Sequence, residues 1–335
     1  MKKTMIFLAA AMVGWSLQSA TAQTTASSNT QTPQEQVREG LKAYNNKDYA
    51  KAFEWWTKAA NQGNAGAMYN LGFLYRNGYG VTKDIVKAVE WWTKAAENNY
   101  DARKALTKHY YNLKDWERVV FYGKDVNDFL SCAYKGVAYF QLKNYAAAEN
   151  SFKSAIKSKE RDEKLVAGVF LLLGASRWAW AENEFQGKEA GFKKKLTALS
   201  AYATAARLGD AEAIKWFDEF KGKRSGQISG TWERTYTDGF DVPHGIVDVI
   251  EVSYKVKTQY IFDTQKVVER HCTEQKNKWS EWSTDDTYSF AFDGNIGLLF
   301  DSDGDIEIFF YLDNNILKIS KEADADNYTQ LKKIR

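Results

Sequence analysis

Hydrophobic positions repeat at a helical spacing from residue 34 to about residue 222. In one segment Ala52, Trp55, Ala59 and Ala60 fall at positions i, i+3, i+7 and i+8. That spacing places the four side chains on one side of a helix, so an amphipathic helix is predicted there. A large ring beside small methyl groups favours close packing of two helices. We therefore assign Trp55 to helix packing.

The heptapeptide EWWTKAA occurs at residues 54–60 and again at residues 90–96, so that Trp91 repeats Trp55. The two copies start 36 residues apart. Internal periods of this length are typical of solenoids built from helix–turn–helix repeats. Gly63, Gly78 and Gly80 lie between helical segments, where glycine adopts left-handed turns at little steric cost. About five helix pairs are predicted in all.

Beyond about residue 225 the hydrophobic period changes to two. The segment KGKRSGQISG (221–230), rich in Gly, Ser and basic residues, separates the two patterns. After it, Ile306, Ile308, Phe310 and Leu312 alternate as one face of a strand does. Seven to nine short antiparallel strands are predicted, forming a meander or a small barrel. The predicted domains are thus a helical repeat domain at 34–224 and an all-β domain at 225–335.

The segment LGFLYRNGYGVTKDIVKAVEWWTKAA (71–96) resembles a Sel-one-like repeat, a relative of the tetratricopeptide repeat. The resemblance rests on the Leu-Gly-x2-Tyr helix, the Gly-x-Gly-Val turn and the Lys-Ala-x2-Trp-aromatic-x-Lys-Ala-Ala helix. It covers residues 47–106 well and the remaining helical region weakly. It implies a right-handed α/α solenoid and a role in scaffolding and complex assembly.

The segment ISGTWERTY (228–236) resembles the opening strand of lipocalin-like barrels. That resemblance implies that Trp232 closes one end of a barrel, and it raises the possibility of a small apolar ligand inside. The predicted β domain is short for a barrel with a roomy cavity.

The N-terminus has the pattern of an export signal. Lys2 and Lys3 precede the apolar run MIFLAAAMVGW, and Ala20-Thr21-Ala22 forms a small-x-small cleavage site. We predict a signal peptide at residues 1–22, a disordered leader at residues 23–33 and a mature protein in the periplasm or outside the cell. No later stretch is expected to span a membrane.

Charge and cysteine content bear on the kind of partner and on whether a disulfide forms. The net charge is +3, which does not favour nucleic-acid binding. Residues 228–335 carry 12 Lys/Arg against 20 Asp/Glu, a balance of about −8, so the helical part is net positive. This charge imbalance is compatible with an acidic partner for the solenoid, with attraction between the two domains, or with an ordinary solvated surface. Cys132 and Cys272 lie in different predicted domains, and two free thiols are favoured over a disulfide.

No motif points to catalysis, a cofactor or a metal. His109, His244 and His271 lack the spacing of zinc ligands, although Glu269 shares a strand face with His271. DSDGDIE (301–307) lacks the Gly and Glu spacing of an EF-hand loop, so a hairpin turn is predicted. The chain is therefore predicted to be a non-enzyme without cofactors or metals.

Candidate binding residues are those that the repeat pattern leaves free. On the helix predicted near residues 65–77, Ala67, Leu71, Gly72 and Tyr75 are assigned to packing. In stacked helix pairs the first helix of each pair lines the inner surface, and Tyr and Arg are common at interfaces. The alternative is that the free residues cover a neighbouring repeat. The candidates are Tyr69, Asn70, Phe73, Arg76 and the second tryptophans, Trp56 and Trp92.

Three functions are compatible with these features. The first is an exported, non-enzymatic scaffold or adaptor that binds a protein or peptide through the helical-repeat groove. The second is a small-ligand binding protein that uses the lipocalin-like β barrel. The third is an envelope enzyme whose site carries no recognised motif.

Overall fold

The computed structural model describes residues 31–159, 163–221, 224–225, 230–244, 248–262, 266–275, 278–279, 283–293, 295–303, 305–313, 316–323 and 329–333. The predicted signal peptide (1–22) and residues 23–30 of the predicted leader lie outside this part. The described residues form two compact units, unit 1 ending at Leu106 and unit 2 beginning at Thr107.

Eleven helices are present in the described residues. They are α1 Pro33–Asn45, α2 Tyr49–Asn61, α3 Ala65–Asn77, α4 Ile85–Ala95, α5 Tyr100–Asn112, α6 Trp116–Gly123, α7 Phe129–Gln141, α8 Tyr145–Lys157, α9 Glu163–Glu184, α10 Glu189–Arg207 and α11 Ala211–Lys221. They make five consecutive pairs and a terminal helix.

Short polar side chains start most of these helices. Thr32 and Glu35 form a reciprocal capping box around Pro33, so α1 begins inside the predicted leader. Asp48 of α2 accepts a hydrogen bond from the Lys51 backbone N–H at 3.1 Å, and equivalent caps precede α3, α4, α6, α7 and α8. Three lysines with positive φ form the same turn between the helices of a pair: Lys47, Lys114 and Lys143.

In unit 1, the repeated tryptophans dock onto glycines. Trp56 lies over Gly40 of α1, and Trp92 lies over Gly72 of α3, so closely that a methyl group on either glycine would overlap the indole. The two indoles are 2% and 3% exposed. Because each glycine has no side chain, the indole of the next helix packs directly against its backbone and the two helices lie close together.

In unit 2, a buried carboxylate joins three helices. Glu149 of α8 binds Arg177 of α9 at 3.1 Å and Lys194 of α10 at 2.6 Å, with Lys153 at 2.8 Å. Leu165–Glu184 of α9 is, by length and hydropathy alone, apolar enough to cross a membrane, which differs from the sequence expectation. The buried ion pair at Arg177 is typical of a helix in a protein core.

Ten strands are present in the described part. They are β1 Arg224–Ser225, β2 Gly230–His244, β3 Asp248–Phe262, β4 Lys266–Gln275, β5 Lys278–Trp279, β6 Ser283–Asp293, β7 Ile296–Phe300, β8 Ile306–Asp313, β9 Ile316–Ser320 and β10 Thr329–Lys333. Eight pair antiparallel in the closed order β2-β3-β4-β6-β7-β8-β9-β10, and β10 returns to β2. The meander is therefore a closed barrel.

Both faces of the barrel wall are covered along β6–β9. Phe290, Leu299 and Phe310 belong to an inner apolar cluster. Leu298 and Phe309 face outward and pack against α10 and α11. Strands buried on both sides need apolar residues at successive positions, which explains the run Ile296–Phe300.

One side-chain placement differs from the sequence prediction. Ile306 was expected on the same face as Ile308, Phe310 and Leu312, but it packs with the outer cluster. The cause is a register shift at Leu299/Phe300, where Ile308 pairs with Leu299 and Ile306 with Phe300.

The predicted fold class, a helical-repeat solenoid followed by a small antiparallel barrel, is confirmed. The change from helix to strand falls between Lys221 and Arg224. The domain ranges 34–224 and 225–335 stay a prediction, since α10 and α11 share a core with the barrel. The lipocalin-like resemblance also stays a prediction, because the side chain of Trp232 lies outside the described part.

Candidate functional site

Helix α3 carries four of the six candidate residues. Asn64 caps its start by accepting the Ala67 N–H at 2.9 Å, and Gly78 ends it with φ +74°. Its inward stripe includes Leu71 and Leu74, both fully buried. The remaining positions are turned away from that core. Tyr69, Asn70 and Phe73 are half-buried, and Arg76 is exposed.

An aromatic cluster surrounds Phe73. The Phe73 ring lies 6.1 Å from the ring of Tyr44 and 6.1 Å from that of Tyr79. Tyr79 in turn stacks on Tyr49 at 4.7 Å. Burial, followed by the neighbouring phenols Tyr49 and Tyr79, raises the pKa of Tyr44, so its hydroxyl stays protonated at neutral pH. The cluster offers partly exposed ring surface edged with hydroxyl groups.

The turn after α3 fixes the position of Tyr79. Gly80 has φ +67°, and a Cβ there would overlap the backbone of Tyr49 and Ala50. Only glycine fits so close to the start of α2. The ring of Tyr79, 36% exposed, is therefore held against Tyr49 by a rigid turn.

The last turn of α3, next to this Gly-Tyr-Gly turn, is charged. The guanidinium of Arg76 lies 6.0 Å from the centre of the Trp92 ring, and it forms no ion pair in the described part of unit 1. Trp92 donates its indole N–H to the Tyr69 carbonyl at 3.2 Å. Burial, and then the charge of Asp101, raises the pKa of Tyr69. Helix α3 therefore presents a cation over a ring near its C-terminus and a neutral phenol about two turns earlier.

The structure changes the expected roles within each tryptophan pair. Trp56 and Trp92 were candidate surface residues, yet their side chains are buried. Trp91 packs against the apolar core of unit 1, as assigned, but both Trp55 and Trp91 are partly exposed. Lys58 and Lys94 lie 4.6 and 4.5 Å from their ring centres. The buried stripe uses the i+4 position where i+3 was expected. Trp56 and Trp92 thus support the surface from beneath.

A family model for the Sel1 repeat matches residues 45–64 and 65–100. These two segments are similar to Sel1 repeats. All six candidate residues lie inside the matched segments, so the candidate surface belongs to the repeats themselves.

Solved structures of repeat proteins are similar to the chain. A Sel1 repeat protein from Oxalobacter formigenes is 25% identical, over 61% of this chain and 84% of that one, with a TM-score of 0.34. MamA AMB-1 is 16% identical, over 55% and 96%, with a TM-score of 0.38. A tetratricopeptide repeat protein from Parabacteroides merdae ATCC 43184 is 17% identical, over 57% and 98%, with a TM-score of 0.32. No curated protein matches.

Sequence reasoning missed the three tyrosines around Phe73. Tyr79 lies inside the Gly-Tyr-Gly turn of the Sel1 repeat, which was interpreted only as a turn. Tyr44 and Tyr49 flank the turn between α1 and α2. An aromatic residue at each of these chain reversals was the available signal. We call Tyr44, Tyr49, Phe73 and Tyr79, together with Tyr69, Asn70 and Arg76, the α3 surface.

The acidic, histidine and cysteine residues considered as candidate chemical groups make structural contacts with nearby residues. Within the described residues, no three His, Cys, Asp or Glu side chains are grouped as metal ligands. Glu269 accepts a hydrogen bond from Tyr288 at 3.0 Å, and His271 lies 3.3 Å from Ser283 Oγ. The Asp301 carboxylate accepts the backbone N–H of Asp303 and of Asp305, as expected for the predicted hairpin turn. Cys132 is a buried free thiol, and burial raises its pKa.

Proposed function

We propose that the protein is an exported, non-enzymatic scaffold or adaptor that binds a protein or peptide partner through the α3 surface. Sel1 and tetratricopeptide repeats generally mediate protein–protein interaction. The observation that carries the proposal is the partly exposed aromatic cluster near Arg76, which lies over the Trp92 ring and has no ion pair among the described residues of unit 1. Tyrosine, tryptophan and arginine dominate the energetics of interfaces.

Site-specific crosslinking tests the surface. A photoreactive phenylalanine analogue replaces Phe73 or Tyr79 in the full chain, and the same analogue at Val86 is the control. Val86 is 70% exposed on α4 and lies outside the α3 surface. We expect one partner to be crosslinked at positions 73 and 79 and not at position 86. Equal crosslinking at all three positions would contradict the proposal.

The affinity of the chain and of its variants for the purified partner is then measured. Tyr79→Ala and Arg76→Ala are each expected to weaken binding about tenfold or more, which is typical of interface residues that matter. Val86→Ala should leave the affinity unchanged. Export is tested separately by sequencing the N-terminus of the protein from its native cell fraction, where a start at Gln23 is expected.

The barrel is the second candidate site, for a small apolar ligand. The described inner side chains of β6–β9 pack together as one apolar cluster. An apolar fluorescent probe titrated against the full chain tests this alternative. Saturable binding that Phe310→Trp weakens, with the fold retained, would favour it.

A further inference from the structure

Four glycines inside the described helices mark places where an aromatic ring docks, whereas Gly66, Gly123 and Gly191 meet other groups. At each of the four, a methyl group would press into a ring on the next helix of the chain. The four glycine and ring pairs are Gly40 with Trp56, Gly72 with Trp92, Gly136 with Phe152 and Gly174 with Tyr202. The chain accepts the helix-weakening effect of glycine at these positions because a ring fills each notch.

Gly168 of α9 breaks this pattern. It lies inside a helix, where alanine is more stable than glycine, and no atom lies within 4 Å of a Cβ built there. Gly174, only six residues further along the same helix, receives the ring of Tyr202. Gly168 is thus an open notch of the kind that rings fill elsewhere in the molecule.

The open notch lies in an apolar groove of about 330 Å³ in unit 2. Helices α7 and α9 and Tyr111 of α5 form its walls, and none of the described side chains that line it is charged. Two leucines of α9 on its lining, Leu165 and Leu172, are 45% and 36% exposed. In the most apolar part of α9 only 39% of the helix is buried. A helix that is apolar on most sides is normally covered.

One end of the groove is polar and electronegative. The rings of Tyr111 and Tyr134 stack there at 4.2 Å, and no other described lining residue has a polar side chain. Asp128 caps α7 and directly precedes the groove residue Phe129. Burial, then the Tyr111 phenol and the negative charge of Asp128, raise the pKa of Tyr134. Phenol oxygens next to a carboxylate favour a cation or an N–H donor.

We propose that this groove binds an apolar helical segment of another protein, which inserts an aromatic side chain beside Gly168 and places a basic residue near Tyr134. The aromatic side chain follows from the filled notches, and the helix follows from the fact that all four docking rings are carried by helices. The basic residue follows from the electronegative end. The site is separate from the α3 surface and does not depend on the function proposed for it.

Synthetic peptides test the proposal on the full chain. The probe is a fluorescent amphipathic helix of about four turns, made of Leu and Ala with one Phe in its apolar face and Lys at one end. Its twin has Ala in place of Phe. By fluorescence anisotropy we expect the Phe peptide to bind about tenfold tighter or more, because the ring is buried only when the notch accepts it.

Variants of the groove sharpen the test. Gly168→Leu fills the notch without an internal clash, so the chain should fold and bind the two peptides equally weakly. Leu172→Ser should weaken both peptides, whereas Leu208→Ser, at a residue 52% exposed outside the groove, should change neither. Circular dichroism of each variant reports its folding.

Three results would overturn the proposal. One is equal affinity of the unmodified chain for the two peptides, including no binding of either. Another is unchanged preference for the Phe peptide in Gly168→Leu. The last is binding of the chain to phosphatidylcholine vesicles, lost in Leu172→Ser, without peptide binding, which would assign the groove to a lipid surface.

Discussion

In both the helical repeats and the β barrel, aromatic rings pack directly on glycines, but the residues around those rings differ. In the repeats, Trp92 covers Gly72 on the adjacent helix, and Trp56 covers Gly40 in a buried cluster made mostly of alanines. In the barrel, Phe310 covers Gly297, its direct partner on the neighbouring strand. Other large apolar side chains adjoin Phe310 in the inner cluster. A single ring therefore carries more of the local core in a repeat than in the barrel.

The largest expected effect separates the two tryptophans of one repeat. Trp92→Ala should lower the free energy of unfolding by about 3–5 kcal/mol, because it empties a notch with few neighbours able to fill it. Trp91→Ala, at the adjacent but partly exposed ring, should cost about 1 kcal/mol or less. Urea unfolding followed by circular dichroism measures both. Equal losses would mean that the burial assigned to Trp92 is wrong.

Much of this architecture was predictable, because periodicity reports it directly. The helix pairs, the turns and the antiparallel strands follow from spacing alone. The choice between Trp55 and Trp56 did not, since positions i+3 and i+4 both fit one helix face. The packing of α10 and α11 on the barrel was also hidden, because an apolar strand does not reveal what covers its second face. The helix α3 of the α3 surface was predicted from the sequence. The tyrosines contributed by two turns were not, because only the folded structure shows that they meet Phe73.

Charge gives a second contrast, between a buried and an exposed carboxylate in unit 2. The side chain of Glu149 among the helices is 7% exposed, whereas that of Glu189, which binds Lys318 of the barrel, is 46% exposed. Burial alone would raise the pKa of Glu149, but hydrogen bonds from Lys153 and Lys194 and the charge of Arg177 outweigh it. Together they lower the pKa from 4.5 to about 2.

We expect Glu149→Gln to cost about 3 kcal/mol of stability at pH 7, because it leaves buried cations without their carboxylate. The folded pKa is depressed, so the stabilisation is complete above about pH 4.5 and is lost as the pH falls towards 2. Urea unfolding at pH 6 and pH 3 should therefore show a difference between wild type and variant that shrinks at the lower pH. A constant difference would contradict the assigned linkage.

Adding a methyl group to Gly72 or to Gly297 compares directly how the helix pair and the barrel wall tolerate a clash with the ring packed on each glycine. At Gly297 a Cβ would meet the Ala291 carbonyl as well as the Phe310 ring, so the backbone itself must move. At Gly72 alanine also improves helix propensity by about 1 kcal/mol, which offsets part of the overlap with Trp92. Gly297→Ala should cost about 2–3 kcal/mol and Gly72→Ala about 1–2 kcal/mol. Urea midpoints in the opposite order would show that the barrel wall yields more easily than the helix pair.

The smallest effect is expected at the exposed carboxylate. Glu189 accepts hydrogen bonds from Lys318 at 3.0 Å and from the Tyr311 hydroxyl at 2.8 Å, and these partners lower its pKa. Because the carboxylate is solvated, Glu189→Gln should cost less than about 1 kcal/mol, and added salt should reduce the loss further. Glu149→Gln should be much less sensitive to salt, since the side chains of Glu149 and Arg177 are only 7% and 12% exposed. Matched urea titrations at low and high salt therefore measure how strongly burial sets the strength of an ion pair in this molecule.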